Sequence, residues 1–451
     1  MRSSFGAKFG LYKFDNSTSS WVETNDKNIR EMIITPSFNI GSLFGTIMVY
    51  FIMDSIGRSK SLCVSSVIYF IGVLFQVIFD NITTLCIGRV ISGVAAGIAT
   101  TLCLLYKAEI SPKQIRGTLG VFNSLSLEFG KLLSCFYETL CLKLIVNNPN
   151  AQWRVAIAGL AIPTTLFLII VWFLPETPRD EKNKELSDEY SKMSTKLKAE
   201  MAQGVITWKE ALQTKSIVYR LIIAAILQLL RMLVGVSAIA YFSTQIYSNY
   251  LGIPTQSYGA WLATLNSVIN LIFSLPAVKY IEGFGRRKTL LCSSFVLGLS
   301  MILTFFLCFI IDKTHNKVYG WICVIVMYVY TITDCSGWNA AIPVWQAEVF
   351  PIRMRAKANS IGWFFKYVSG IIVSSTSTTL MKYLSYYTFW VYASFCIIAF
   401  IFIYFTIRET RGLSLEEMEN LYGGEKEKPF RDEKKIKKIN QEKKECDITN
   451  A

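Results

Sequence analysis

The chain has 451 residues, 52% hydrophobic and 14% aromatic, with a mean hydropathy of +0.38. That is more apolar than the roughly 45–50% usual for soluble globular proteins. The formal charge is +14, but the basic residues gather in alternate short loops, which argues against a nucleic-acid-binding protein. His315 is the one histidine, so a histidine-based catalytic triad or metal cluster is excluded, and the 11 cysteines form no CxxC pair.

A run of about 20 apolar residues matches the hydrocarbon thickness of a bilayer. In chain order such runs fall at 32–53, 61–79, 83–106, 118–140, 153–174, 217–241, 259–281, 289–311, 321–345, 359–381 and 387–407. The expected fold class is an all-α polytopic membrane protein with eleven spans, whose surroundings are the lipid bilayer. Between the runs, Arg58 with Lys60, Lys107 with Lys113 and Arg116, Arg286 to Lys288, and Arg353 to Lys357 mark one side of the membrane. The intervening loops carry little positive charge, as at Asp80–Asn81. By the positive-inside rule the basic side is cytoplasmic. The C-terminal tail then lies in the cytoplasm, and eleven spans put the N-terminus outside. A charged segment between the fifth and sixth runs reads as a cytoplasmic linker with amphipathic helices. The expected organisation is residues 1–31 outside, a first helical bundle over 32–178, a linker over 179–216, a second bundle over 217–408 and a cytoplasmic tail over 409–451. The Lys- and Glu-rich end of that tail has the composition of a disordered segment.

The two bundles echo each other. DSIGRSK (54–60) matches EGFGRRK (282–288), and AEISPKQIRG (108–117) matches AEVFPIRMRA (347–356). In each half an acid precedes an arginine by seven residues: Glu109 with Arg116, and Glu348 with Arg355. Paired bundles joined by a linker are a repeat architecture of secondary transporters. Gly88, Gly93 and Gly97 fall along one helix, where small residues allow close packing in lipid.

These stretches, with SFNIGSLFG (37–45), GRVISGVAAG (88–97), PETPR (175–179) and ETRGLSLEEME (409–419), resemble the sugar-porter family of the major facilitator superfamily, especially yeast hexose transporters. The resemblance runs from Glu31 to about Gly423. It implies two pseudo-symmetric bundles, alternating access, a small-molecule substrate of hexose type and a multi-pass location in the plasma membrane. It implies no enzyme activity and no cofactor. It also implies that Asp54, Arg58, Arg89, Glu109 and Arg116 in one half, and Glu282, Arg286, Glu348 and Arg355 in the other, pair across neighbouring helices as a cytoplasmic gate. Such pairs at a membrane edge are partly solvated and individually weak, so they can act as latches. The family has twelve spans. No apolar run precedes residue 32, so the first span is expected to be missing, with FGLYKFDNS (9–17) as a trace of its end.

Hexose hydroxyls donate and accept, which suits Asn and Gln. Sugar C–H faces suit aromatic rings. The resemblance carries a substrate-binding role to Gln228, Tyr241, Asn270 and Trp338. At three further cavity positions the chain departs from the family's amides: Ser124, Arg231 and Lys366. Met232, Ser237 and Pro343 also depart. Charges near mid-bilayer cost roughly 2.5–3.5 kcal/mol each on insertion scales, so they are expected in a cavity and paired. Glu128, four residues beyond Ser124 on the same helical face, is the expected partner of Arg231 or Lys366. The excess of positive charge leaves open a transporter of an anionic solute, and the lost amides leave open a sugar sensor that does not transport.

Overall fold

The computed structural model describes residues 2–15, 20–24, 26–110, 116–145, 148–174, 208–236, 239, 259–314, 316–411, 418 and 421–422. Ahead of the first long helix lie α1 (Arg2–Lys8) and an antiparallel hairpin of β1 (Tyr12–Asp15) and β2 (Ser20–Glu23), with Tyr12 opposite Glu23. None of these elements is long enough to cross a bilayer.

The first half is built from α2 (Lys27–Ile56), α3 (Arg58–Ile78), α4 (Ile82–Ile110), α5 (Arg116–Leu144), α6 (Pro149–Ala158) and α7 (Ala161–Trp172). The second half contains α8 (Trp208–Gln213), α9 (Lys215–Leu233), α10 (Gly259–Ser274), α11 (Ala277–Phe284), α12 (Arg286–Thr314), α13 (Lys317–Thr333), α14 (Asn339–Val349), α15 (Ile352–Leu384) and α16 (Thr388–Thr406). Each apolar run contains a helix, and among the described residues four runs are broken. The 153–174 run turns at Gly159–Leu160, the 217–241 run breaks at Val234–Gly235, the 259–281 run breaks at Leu275–Pro276, and the 321–345 run passes through a π-helical turn at Asp334–Trp338.

Among the described residues, eight helical stretches are long and apolar enough to cross a membrane, one of them running through both α15 and α16. This differs from the eleven expected spans for physical reasons. Helix α10 is apolar but has only 16 residues. Helix α5 is 29 residues long but carries Glu128, Lys131 and Glu138 along its middle. Large apolar side chains such as Trp172, Phe173, Ile325 and Phe405 stand exposed on the outside of the bundles, as a lipid-facing surface requires.

The glycines explain how the first half closes. On α2, Gly41 and Gly45 lie against the carbonyls of Val90 and Val94; on α4, Gly93 and Gly97 lie against those of Phe38 and Ser42. A β-carbon at any of the four would overlap the opposing backbone. Gly88 packs in the same way against Gly72 of α3. This is the small-residue packing that holds helices together without a hydrophobic driving force between them.

The internal repeat is also conformational. Gly57 ends the turn between α2 and α3, and Gly285 ends the turn between α11 and α12. Both have φ 93°. A side chain there would be strained, so the glycine before each arginine of the GR pair is fixed by backbone geometry. Because α2 and α3 are antiparallel, this turn defines one end of the first half, and the Asp80 turn between α3 and α4 defines the other.

Candidate functional site

A cavity of about 660 Å³ lies between the two halves, within the roughly 300–1,000 Å³ range of small-molecule sites. Its wall in the first half comes from Ile34, Phe38 and Asn39 of α2, Arg89, Ala96 and Thr100 of α4, and Leu127 of α5. The second half supplies Met232 of α9 with Trp363, Lys366, Tyr367, Gly370, Ser374 and Ser377 of α15. Phe5, Leu11 and Glu31 line the end towards the Asp80 turn. The Tyr367 hydroxyl shares a hydrogen bond with Thr100 Oγ1 at 3.2 Å across the interface between the halves. The Lys366 ammonium rests 3.8 Å from the ring centroid of Trp363, a cation–π contact. Two rings, an amide and several hydroxyls around one cavity can hold a small polyhydroxyl ligand.

Beside this cavity, three helices are tied by Asn339. Its amide oxygen accepts a hydrogen bond from Arg231 Nη2 on α9, and its Nδ2 donates to Glu128 Oε1 on α5 at 3.1 Å. Its backbone oxygen accepts from Ser124 Oγ at 2.8 Å. Glu128 also accepts from Lys131 Nζ at 2.6 Å. The arrangement therefore differs from the expected direct pairing of Glu128 with Arg231 or Lys366. Lys131, one turn away on the same helix, takes the ion pair, and a neutral amide relays the contact to Arg231. Asp334, buried in the π turn, is the other carboxylate close enough to act on Arg231.

The expected binding residues thus separate. Lys366 lines the cavity. Arg231 is absent from its lining and turns instead to Asn339, while its neighbour Met232 faces in. Ser124 lies in the same knot. Gln228 is buried and donates to Gln346 Oε1 at 3.1 Å, and Asn270 is buried with its backbone oxygen accepting from Cys335 Sγ. Trp338 is fully buried and donates through Nε1 to Ser294 at 3.1 Å. Tyr241 lies outside the described residues. Asp334, Asn339 and Gln346 were not singled out from the sequence. A carboxylate in the middle of an apolar run is the signal that could have found Asp334, and π turns often mark functional positions.

At the end defined by Gly57 and Gly285, Arg286 Nη2 donates to Glu348 Oε1 at 2.6 Å. Glu348 also accepts from Thr410 at 2.7 Å, and Glu409 accepts from the backbone N–H groups of Arg286 and Arg287. Arg58 and Arg355 are buried near the same turns, Arg355 donating to the Phe350 carbonyl at 3.2 Å. The side chains of Asp54, Glu109, Arg116 and Glu282 lie outside the described residues. Arg89 is corrected. It sits about two turns from the Asp80 end of α4 and donates to the Ile34 carbonyl at 3.1 Å, so it stands at the opposite end of its helix from Glu109. The Asp80 turn reverses the chain after α3, which carries residue 89 away from Arg58.

At that other end, Asp80 binds Arg154 Nη2 at 2.5 Å and Lys8 Nζ at 3.0 Å. The hydrogen bond from Arg154, assisted by Lys8, holds the Asp80 carboxyl below its ordinary value. Phe5 and Phe9 meet the Trp153 ring edge-on at 5.8 and 5.5 Å, so α1 is docked against α6. The halves also touch here through Thr139 and Thr264, whose hydroxyls lie 3.0 Å apart.

Comparison with known proteins agrees with this architecture. The chain is similar to the probable metabolite transport protein CsbC of Bacillus subtilis, 28% identical over 437 residues covering 92% of each chain. It is 27% identical to hexose transporter 2 of Kluyveromyces lactis, over 93% of this chain and 77% of that one. Among solved structures, the proton:xylose symporter XylE bound to 6-bromo-6-deoxy-D-glucose superposes with a TM-score of 0.76 at 21% identity, covering 93% of both chains. The inward-open conformation of XylE from E. coli gives 0.70. The family model described as sugar (and other) transporter matches residues 3–422. The protein is therefore a multi-pass membrane transporter of the sugar-porter type with the major facilitator fold, not an enzyme, and it belongs to the sugar (and other) transporter family.

Proposed function

We propose that the protein carries a hexose or a related carbohydrate across the plasma membrane by alternating access. The observation that carries this reading is the cavity between the two halves, with Trp363 and Tyr367 for the C–H face of a sugar and Asn39, Thr100 and Ser374 for its hydroxyls. The family and the hexose-transporting relative point to the same class of solute. In this reading all eleven apolar runs cross the bilayer and the Gly57 and Gly285 turns face the cytoplasm, where Arg58 and Arg286 obey the positive-inside rule. The first bundle spans 32–178 and the second 217–408, with the linker and tail on the cytoplasmic side. Arg286 and Glu348, with Asp54, Arg58, Glu109, Arg116, Glu282 and Arg355, act as the cytoplasmic latch, and Arg89 belongs to the cavity instead. Ser124, Gln228, Arg231, Asn270 and Trp338 shape the wall behind the site, and Tyr241 keeps the substrate-binding role that the resemblance gives it.

The reading is tested by uptake of radiolabelled glucose in yeast lacking its own hexose transporters. Expression of this chain should restore saturable uptake, and Lys366→Asn should change its concentration dependence. Uptake no greater than in cells carrying an empty vector, for glucose and a panel of other hexoses and related carbohydrates, would reject it.

A further inference from the structure

Resting on the reading above that the Gly57 and Gly285 turns face the cytoplasm, we propose that α1 is a lid over the extracellular end of the cavity, latched by Asp80 and Trp153, and that its release admits substrate from outside. Phe5 of α1 and Leu11, just past it, line the cavity at its Asp80 end. Ser374 and Ser377 of α15 share that lining. A solute entering at this end passes α1 before it reaches Thr100 and Tyr367, which meet deeper in the cavity. The bonds and ring contacts that hold α1 run to α2, α6 and the Asp80 turn, all in the first half. The lid is thus carried by one half and closes towards the other.

The way α1 is held suits a part that lets go. It has seven residues, too few for a helix that is stable alone, so its side-chain contacts keep it in place. Lys8 binds Asp80 with both side chains 37% exposed, and such solvated pairs are individually weak. Arg154 shares Asp80 and sets its guanidinium 5.3 Å from the Trp153 ring. On the inner side Phe9 is buried with Ile34, Leu85 and Trp153, and Arg30 Nη1 donates to the Phe9 carbonyl at 2.8 Å. Beyond Gly10 the chain is anchored separately. Strand β1 pairs with β2, the Thr24 N–H donates to the Leu11 carbonyl at 3.1 Å, and the Lys27 ammonium lies 4.8 Å from the Tyr12 ring centroid. Gly10 has φ 68°, a setting that glycine enters and leaves at little cost. α1 can therefore swing at Gly10 while the hairpin stays.

The test uses the full-length chain in sealed right-side-out and inside-out membrane vesicles, with a membrane-impermeant thiol reagent. Ser377→Cys places a thiol in the cavity beneath the lid, and labelling of the parent chain's own cysteines is subtracted. In right-side-out vesicles, adding Asp80→Asn should speed labelling about threefold or more, and adding Phe9→Ala about tenfold or more. A monodisperse elution profile for each variant guards against misfolding. Separately, Lys8→Cys with Arg154→Cys lets a reducible bifunctional thiol linker pin α1 to α6. Linking should stop glucose uptake, reduction should restore it, and the parent chain given the same linker should be unaffected. Labelling that neither Asp80→Asn nor Phe9→Ala speeds, or uptake that persists in the linked chain, would overturn the lid. Labelling confined to inside-out vesicles would overturn the orientation and the extracellular lid together. Labelling needs no sugar, so labelling that responds as expected in a chain that takes up no carbohydrate would keep the lid and overturn the carbohydrate reading.

Discussion

Asn339 makes the sharpest prediction. Replacing it with alanine removes the acceptor for Arg231 and the donor to Glu128, and leaves the backbone bond from Ser124 in place. A hydrogen bond to a charged group contributes roughly 1.5–3 kcal/mol in soluble proteins, whereas bonds between membrane helices average about 0.6 kcal/mol. Charge decides between the two scales. Each bond engages a charged side chain, Glu128 1% exposed and Arg231 9%, so the figure for charged groups is the one applied. Two such bonds amount to about 3 kcal/mol or more. At roughly 2 °C per kcal/mol, Asn339→Ala should lower the apparent unfolding midpoint in detergent by about 6 °C or more, read by tryptophan fluorescence. Ser124→Ala removes one neutral bond between the halves, worth about 0.5–1.5 kcal/mol, and should cost about 1–3 °C. The reasoning is refuted if Asn339→Ala melts within a degree of wild type, or if Ser124→Ala falls further than Asn339→Ala.

Gly93→Leu should drive α2 from α4, because its side chain would enter the Phe38 carbonyl, and lose the monodisperse peak on size exclusion; Gly130→Ala, with nothing within 4 Å of the added carbon, should not. Gly57→Ala and Gly285→Ala each force a residue with a β-carbon into φ 93°, at a cost of about 1–3 kcal/mol, and each should melt below wild type; at Gly285 the added carbon also meets the Glu409 carboxylate. Asp80 is held below its ordinary pKa of 3.8, so its tie to Lys8 and Arg154 is intact above that value and lost as pH falls through the lowered one. Limited proteolysis should therefore find α1 protected at neutral pH and cleaved in strong acid, and Asp80→Asn should show the acid pattern at neutral pH.

Much of the fold is legible in the sequence because membranes restrict the solutions. Long apolar runs must be helices, and the paired GR turns and the α4 glycines state the repeat and the closest packing outright. The site is less legible because its contacts join residues far apart in sequence. Arg231 is visibly anomalous, but its partner Asn339 is 108 residues away on a helix whose kink the residue pattern does not reveal. Family spacing marks the position of Arg231 and not its rotation about α9, where Met232 faces the cavity in its place. The resemblance groups Arg89 with Arg58, although the reversal at Asp80 separates them. Asp334 stands inside the ninth run as a carboxylate in an apolar stretch, but the resemblance assigns it no role.

The central claim is that this chain moves a carbohydrate across a bilayer, and counterflow in proteoliposomes tests it most directly. Vesicles loaded with unlabelled sugar and diluted into a trace of the labelled sugar should accumulate label transiently above equilibrium, because a carrier exchanges the two through one site. Label that enters no faster than in protein-free vesicles, across neutral hexoses and uronates alike, would contradict the account.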